Sequence, residues 1–214
     1  AVLGRLGGLK IILKDELRKV PGFGWACQCF GFAFMTRKGR EQDLATLQGT
    51  AALHVRSRLA YLLFPEGTDL SESNQAKDRE FADSKGLAHY TQVLHPRTAG
   101  FVATWEAMQS LQKAGGAPPA LVDVTLAYVD YSKGERPSEA SLFMKGRPCR
   151  EVHIYVELLS NPPASASKEA LGKLCEKVFE QKEARLTRFY ASSPPDAAAL
   201  RWPGGSGYSV RLES

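Results

Sequence analysis

The stretch that most constrains this chain is Leu59-Ala60-Tyr61-Leu62-Leu63-Phe64-Pro65-Glu66-Gly67-Thr68. Its first half is an apolar run without polar alternation, the pattern of a strand buried on both faces of a parallel sheet. Pro65 stops the ladder because it has no N–H to donate. Gly67 permits a backbone turn that other residues resist, and Glu66 is held between the two. In an open α/β sheet, ligands bind beyond the carboxyl ends of the strands. Phe64–Thr68 is therefore where a binding crevice is expected.

The rest of the chain follows a βαβ rhythm. Leu9–Lys14 reads as a strand, and Phe32–Thr36 as a second one leaving into Arg37-Lys38-Gly39-Arg40. Asp43–Arg56 reads as a helix with Leu44, Leu47, Ala51 and Val55 on one face. Between the first two strands, Phe23, Trp25, Ala26, Cys27, Cys29 and Phe30 make an apolar, aromatic segment too short to cross a bilayer. It is read as a buried helix, the alternative being an element in a membrane interface with Trp25 at headgroup level. Beyond Thr68 the chain turns polar, an exposed loop running into a short helix near Phe81 that stops at Gly86. His95-Pro96-Arg97-Thr98 precedes an amphipathic helix bearing Phe101, Val102, Trp105, Met108 and Leu111, with Thr98 as its cap. His95 and Arg97 are either the start of that helix or an anion site at its N-terminus.

Leu121–Val129 is a strand. Glu151–Leu158 alternates as a half-exposed strand does, with His153 on the polar phase in a structural role. Ser167 caps a last helix to about Tyr190, buried through Leu171, Leu174, Val178 and Phe179. From Pro194 onward the chain is rich in Pro, Gly and Ser. The expected organisation is an α/β domain over 1–191, a mostly parallel sheet flanked by helices, with a flexible tail over 192–214.

Composition narrows the class. With 43% hydrophobic and 24% charged residues among 214, the chain is globular. A net charge of +5 suits an anionic membrane surface or a phosphorylated substrate. No zinc spacing or RNA-binding signature points to nucleic acid. The four cysteines, Cys27, Cys29, Cys149 and Cys175, form no C-x-x-C pair and read as reduced thiols facing a cytosolic compartment. No metal site and no cofactor are expected. No signal peptide is recognised, and no run approaches the roughly 18 apolar residues of a membrane span.

Phe64-Pro65-Glu66-Gly67-Thr68 resembles the third sequence block of the glycerolipid acyltransferases, the family of lysophosphatidic acid acyltransferase. Val20-Pro21-Gly22-Phe23-Gly24-Trp25-Ala26 and Val93-Leu94-His95-Pro96-Arg97-Thr98 are similar to the lysocardiolipin acyltransferase branch. Gly31, Phe34 and Arg37 fit the order of the second block. Leu121–Val129 resembles the fourth, without its usual proline. The likeness runs from about Leu9 to Tyr190, three blocks in the right order. It implies a glycerolipid acyltransferase-like fold and transfer of a fatty acyl group from acyl-CoA, as co-substrate, to a lysophospholipid. It also implies an endoplasmic reticulum membrane, with the domain facing the cytosol or associated with the membrane.

Acyl transfer from a thioester needs a base for the hydroxyl proton and a means of steadying the oxyanion. The family uses a His-x-x-x-x-Asp block. Five positions beyond His54, His89, His95 and His153 stand Leu59, Leu94, Gly100 and Leu158, so that block is expected to be missing here. Glu66 is the catalytic candidate within the chain, placed to accept a substrate hydroxyl or to pair with a cation such as Arg37. Arg37, Phe64, Pro65, Gly67, Thr68, His95 and Arg97 are the substrate-binding candidates. Asp69 stands where many relatives carry Arg, which leaves Arg37 and Arg97 to meet a phosphate. Two function classes follow: a membrane-associated acyltransferase, or a lipid-binding remnant of that family without the base. A Cys-nucleophile hydrolase is disfavoured, because no cysteine sits at a strand-to-helix elbow.

Overall fold

The computed structural model describes residues 8–36, 39–52, 60–115, 118–129, 151–162, 166–191 and 208–213. The chain divides into two compact units. The first comprises Ala1–Asp69, His95–Pro119 and Pro162–Glu176, and the second Leu70–Leu94, Ala120–Asn161 and Lys177–Ser214.

The first unit is built on a parallel sheet. Strands β1 (Leu9–Lys14), β2 (Ala33–Met35) and β3 (Ala60–Leu62) lie in the order β2-β1-β3. β1 pairs with both neighbours, Ile12 opposite Ala33 and Ile11 opposite Leu62. Parallel strands need crossover connections, and helices supply them. A 3-10 turn over Asp15–Lys19 and helix α1 (Phe23–Cys29) join β1 to β2. Helix α2 (Arg40–Ala52) follows β2 and packs on α4 (Thr98–Lys113). Ile12, Ala33, Met35, Leu47, Ala103 and Ala107 form the core, with Tyr61 and Leu63 packed against it. Burying a side chain such as Leu47 contributes about 1.5–3 kcal/mol. Helices flanking a parallel sheet are what an α/β acyltransferase-like fold requires.

Two buried polar residues hold the connections. Lys10 is 5% exposed, and its ammonium donates to the Phe30 carbonyl at the end of α1 at 2.6 Å. The carboxylate of Asp43, in the first turn of α2, accepts the backbone N–H and the hydroxyl of Thr36 at the exit of β2, at 2.9 and 3.2 Å. Each ties a strand to the helix beside it through a part-buried hydrogen bond.

The second unit carries an antiparallel sheet in the order β4-β5-β6: β4 (Leu121–Val129), β5 (Glu151–Leu159) and β6 (Tyr208–Glu213). Helix α3 (Glu72–Lys85) and the part of helix α5 (Lys168–Ala191) beyond Glu176 complete it. Ser167 caps α5 as the sequence implies, its hydroxyl accepting the Ala170 N–H at 3.2 Å. α3 stops at Gly86, whose N–H bonds back to Asp83 while the Leu87 N–H reaches Ala82. The carboxylate of Glu183 on α5 accepts the backbone N–H groups of Thr91, Gln92 and Val93, at 2.8, 2.8 and 3.1 Å. That carboxylate holds an otherwise irregular segment.

Several expectations are corrected. β3 is only partly buried, because it lies at the edge of its three-stranded sheet rather than inside it. The polar residues Glu72–Arg79, expected as a loop, are the first turns of α3, a surface helix whose single buried residue is Ala82. Tyr208–Glu213, expected in the flexible tail, pairs with β5 along its length, Val210 opposite Ile154. Thr98 is the first residue inside α4, and Arg97 holds the cap position. Helix α1 is not a buried helix: Trp25 is 68% exposed, and its buried residues are Gly24 and Cys27. Arg37, Lys38, His54, Val55 and Cys149 lie outside the described residues.

Candidate functional site at the exit of β3

β3 leads directly into the candidate site. The Gly67 N–H donates to the Phe64 carbonyl at 3.0 Å, closing a four-residue turn over Phe64-Pro65-Glu66-Gly67. Proline suits the second position of such a turn, since its fixed φ is already right. Gly67 has φ 72°, in the left-handed region where a side chain is strained. Glu66 is thereby carried half-buried on a tight turn, next to Phe64, which is 57% exposed. The Thr68 hydroxyl donates to the Asp69 carboxylate at 3.1 Å.

A second segment is bonded to this turn. The Arg97 backbone N–H donates to the Pro65 carbonyl at 2.8 Å. Pro65 offers its carbonyl outward because it lies in a turn, and Arg97 has a free amide because it is the cap of α4. This hydrogen bond joins Phe64–Thr68 to His95-Pro96-Arg97, its two residues 32 apart in the chain. His95 is half-buried and Arg97 exposed. α4 begins at once, and its first turn carries no acidic residue. The positive end of the helix dipole favours an anion there.

Beneath the turn, Tyr61 on β3 donates its hydroxyl to the Leu47 carbonyl of α2 at 2.9 Å. Burial pushes its pKa up to about 12, against a smaller lowering by the Thr50 hydroxyl. Tyr61 is therefore a neutral structural donor at physiological pH. Among the described residues, no group of His, Cys, Asp and Glu is arranged to hold a metal ion. No described helix is long and apolar enough to cross a membrane.

The structure thus brings together Phe64, Pro65, Glu66, Gly67, Thr68, His95 and Arg97, while Arg37 lies outside the described residues. The hydrogen bond from Arg97 to Pro65 was not readable from the sequence, since backbone pairing between distant loops leaves no periodicity. Lys10 and Asp43 were missed for a similar reason: a charged residue in a strand or first helical turn reads as exposed until its partner is known.

A family model described as Acyltransferase matches residues 2–127. The chain belongs to the acyltransferase family. It is 37% identical over 185 residues to lysocardiolipin acyltransferase 1 of Gallus gallus, covering 85% of this chain and 46% of that one. The Mus musculus protein of the same name is 38% identical over 85% of this chain and 46% of its own length. Lysophosphatidylinositol acyltransferase 10 of Caenorhabditis elegans is 32% identical over 87% of this chain and 46% of its own. The chain spans about half the length of these curated relatives. No solved structure matches it. The family-model match contains both segments of the site, Phe64–Thr68 and His95–Arg97.

Proposed function

We propose that this domain forms the substrate site of an acyl-CoA-dependent lysophospholipid acyltransferase that acts at a membrane surface, on the endoplasmic reticulum, in phospholipid synthesis or remodelling. The carrying observation is the hydrogen bond that fastens the Glu66 turn to the start of α4. It sets a carboxylate, a histidine, an arginine and a helix N-terminus around one strand exit. The phosphate of a lysophospholipid is met by the α4 amides, Arg97 and Arg37, through charge-assisted hydrogen bonds. Glu66 accepts the hydroxyl that is to be acylated, and Phe64 and Pro65 face its glycerol and acyl carbons. The similarity to lysocardiolipin and lysophosphatidylinositol acyltransferases supports an acceptor of this class.

The reaction is attack of the acceptor hydroxyl on the thioester carbonyl of acyl-CoA. The C–S bond breaks, the hydroxyl proton passes to a base, and the thiolate leaves with a proton. No histidine of this chain has the His-x-x-x-x-Asp spacing. Residues 1–214 are therefore expected to bind lysophosphatidic acid saturably but to transfer acyl groups slowly, general base catalysis being worth about 10²–10⁴-fold. Joining an upstream segment that carries His-x-x-x-x-Asp should raise turnover by that factor. Glu66→Gln in the joined protein should lower turnover while the thermal midpoint stays put. Absence of saturable lysophospholipid binding removes the proposal. Binding without transfer in the joined protein favours a lipid-binding remnant.

A further inference from the structure

The 3-10 turn and α1 display a cluster of side chains that the site does not use. Val20, Phe23, Trp25 and Phe30 are exposed at 42, 50, 68 and 64%. From Val20 to Phe30 no residue is charged, whereas Lys14, Asp15, Glu16, Arg18 and Lys19 stand immediately before, Arg18 paired with Asp15 at 3.5 Å. The arrangement is an uncharged aromatic tip behind a collar of mixed charge, three cations to two carboxylates.

The tip is built into the fold. A Cβ on Gly24 would lie 2.1 Å from the Arg18 carbonyl oxygen, so α1 is seated on the 3-10 turn at a distance only glycine allows. The Gly24 N–H donates to the Val20 carbonyl at 2.7 Å, and the Phe32 N–H to the Cys27 carbonyl at 3.0 Å. The buried ammonium of Lys10 fixes the Phe30 carbonyl. Arg18 packs over the Phe34 ring at 4.9 Å. Cys27 is buried beneath. The aromatics are exposed by a rigid frame that leaves them no inward alternative.

We propose that this tip docks the domain on an anionic phospholipid bilayer, with Phe23, Trp25 and Phe30 in the headgroup–acyl boundary and Lys14 and Lys19 on lipid phosphates. The inference deepens the proposed function and rests on it for its lipid substrate. Three features favour a lipid surface over a protein. Trp and Phe beside Lys are the chemistry of the membrane interface. The exposed fractions of aromatics that can each bury 150–250 Å² sum to roughly 400–500 Å² with Val20, well short of the ~800 Å² per partner of a stable protein interface. Lys14 and Lys19 of the collar are the groups that can reach lipid phosphate. β1 and β3 run parallel, so the 3-10 turn and Phe64–Thr68 leave the sheet at its carboxyl end, while α1 runs back to the start of β2, where the Phe30 carbonyl meets Lys10.

The test is flotation of residues 1–214 with phosphatidylcholine vesicles, with and without phosphatidylglycerol. The wild type should float, more so with phosphatidylglycerol and less so at high salt. Phe23→Ser/Trp25→Ser/Phe30→Ser should bind at least tenfold more weakly with an unchanged circular dichroism spectrum. Lys14→Gln/Lys19→Gln should keep binding to neutral vesicles and lose the gain from phosphatidylglycerol. Equal flotation of wild type and triple Ser variant overturns the inference. So does a wild type that ignores vesicles, or one that self-associates through the tip and becomes monomeric in the triple variant. Flotation without affinity for dispersed lysophosphatidic acid would remove the proposed function and leave the docking. Affinity for dispersed lysophosphatidic acid without flotation would do the reverse.

Discussion

Gly67→Ala, with Gly86→Ala beside it, separates backbone strain from site geometry. Both glycines are left-handed, at φ 72° and 64°. Holding an alanine in that region costs about 1–2 kcal/mol, so both variants should lose that much stability. Their surroundings differ. Gly86 ends α3, and its Cβ would meet nothing within 4 Å. Gly67 closes the Glu66 turn through its bond to the Phe64 carbonyl, and the same turn offers the Pro65 carbonyl to Arg97. An alanine at Gly67 relieves its strain by opening the turn, which weakens bonds worth about 0.5–1.5 kcal/mol each. Loosening the bond between the turn and Arg97 by that route should weaken lysophosphatidic acid binding about tenfold, since 1.4 kcal/mol is a factor of ten.

Urea unfolding gives the stability term, and calorimetric titration of lysophosphatidic acid gives the affinity. The expected pattern is matched destabilisation with an affinity loss in Gly67→Ala alone. Wild-type affinity in a destabilised Gly67→Ala would show that the turn does not shape the site. Undiminished stability in both variants would refute the strain argument itself.

Arg37→Ala should raise the apparent KM for lysophospholipid more than for acyl-CoA, since a lost charge-assisted phosphate contact costs roughly 1.5–3 kcal/mol; equal effects on both substrates would take Arg37 off the acceptor. Asp123→Ala should cost about 3–5 kcal/mol in urea unfolding, because it strips a buried carboxylate from Lys182 and Arg185. Replacing Asp123, Glu157, Lys182 and Arg185 together by Leu, Gln, Met and Met should recover most of that loss; a larger loss in the quadruple variant would mean that the charges hold the unit together. Tyr61 has a folded pKa raised from 10.0 to about 12, so its contribution is complete below pH 10 and is lost as pH rises from 10 to 12. Allowing for its partial exposure, that loss is about 1–2 kcal/mol, visible as a steeper alkaline slope in wild type than in Tyr61→Phe.

Much of this architecture is legible locally. Leu9–Lys14, Leu121–Val129, the Ser167 cap and the Gly86 stop lie where periodicity and capping put them. The turn at Phe64–Gly67 follows from Pro65 and Gly67 alone. What stayed hidden depends on partners distant in sequence. α1 carries the composition of a buried helix. It is exposed because Gly24 packs on the Arg18 backbone and takes up the one inward face that a seven-residue helix offers. The site is legible as two separate segments, and the bond between Arg97 and Pro65, which joins them, is not.

The antiparallel sheet shows how a correct periodicity can be read with the wrong sense. Along β5 the alternation reads as a half-exposed strand with His153 on its polar, outward phase, and the same rule applied to β4 would turn Asp123 and Thr125 outward. The observed faces are reversed. Asp123, Thr125, His153 and Tyr155 are buried, while Val122, Val124, Leu126 and Leu158 are 41–64% exposed. The reason lies in α5. Arg185, 1% exposed, donates to Asp123 at 2.9 Å and to Glu157 at 2.7 Å and stacks over the Tyr155 ring at 4.5 Å. Lys182 adds an ion pair with Asp123 and hydrogen bonds to the Val124 carbonyl and the Thr125 hydroxyl. His153 is paired with Glu151 and set edge-on to Phe189 at 5.2 Å. Once a helix brings two cations to one face of a sheet, the carboxylates must turn toward them, since leaving the cations buried without partners would cost several kcal/mol. Strand alternation then carries the valines and leucines to the other face. Alternation specifies two faces; which one is inside is decided by the charges on the helix that covers it.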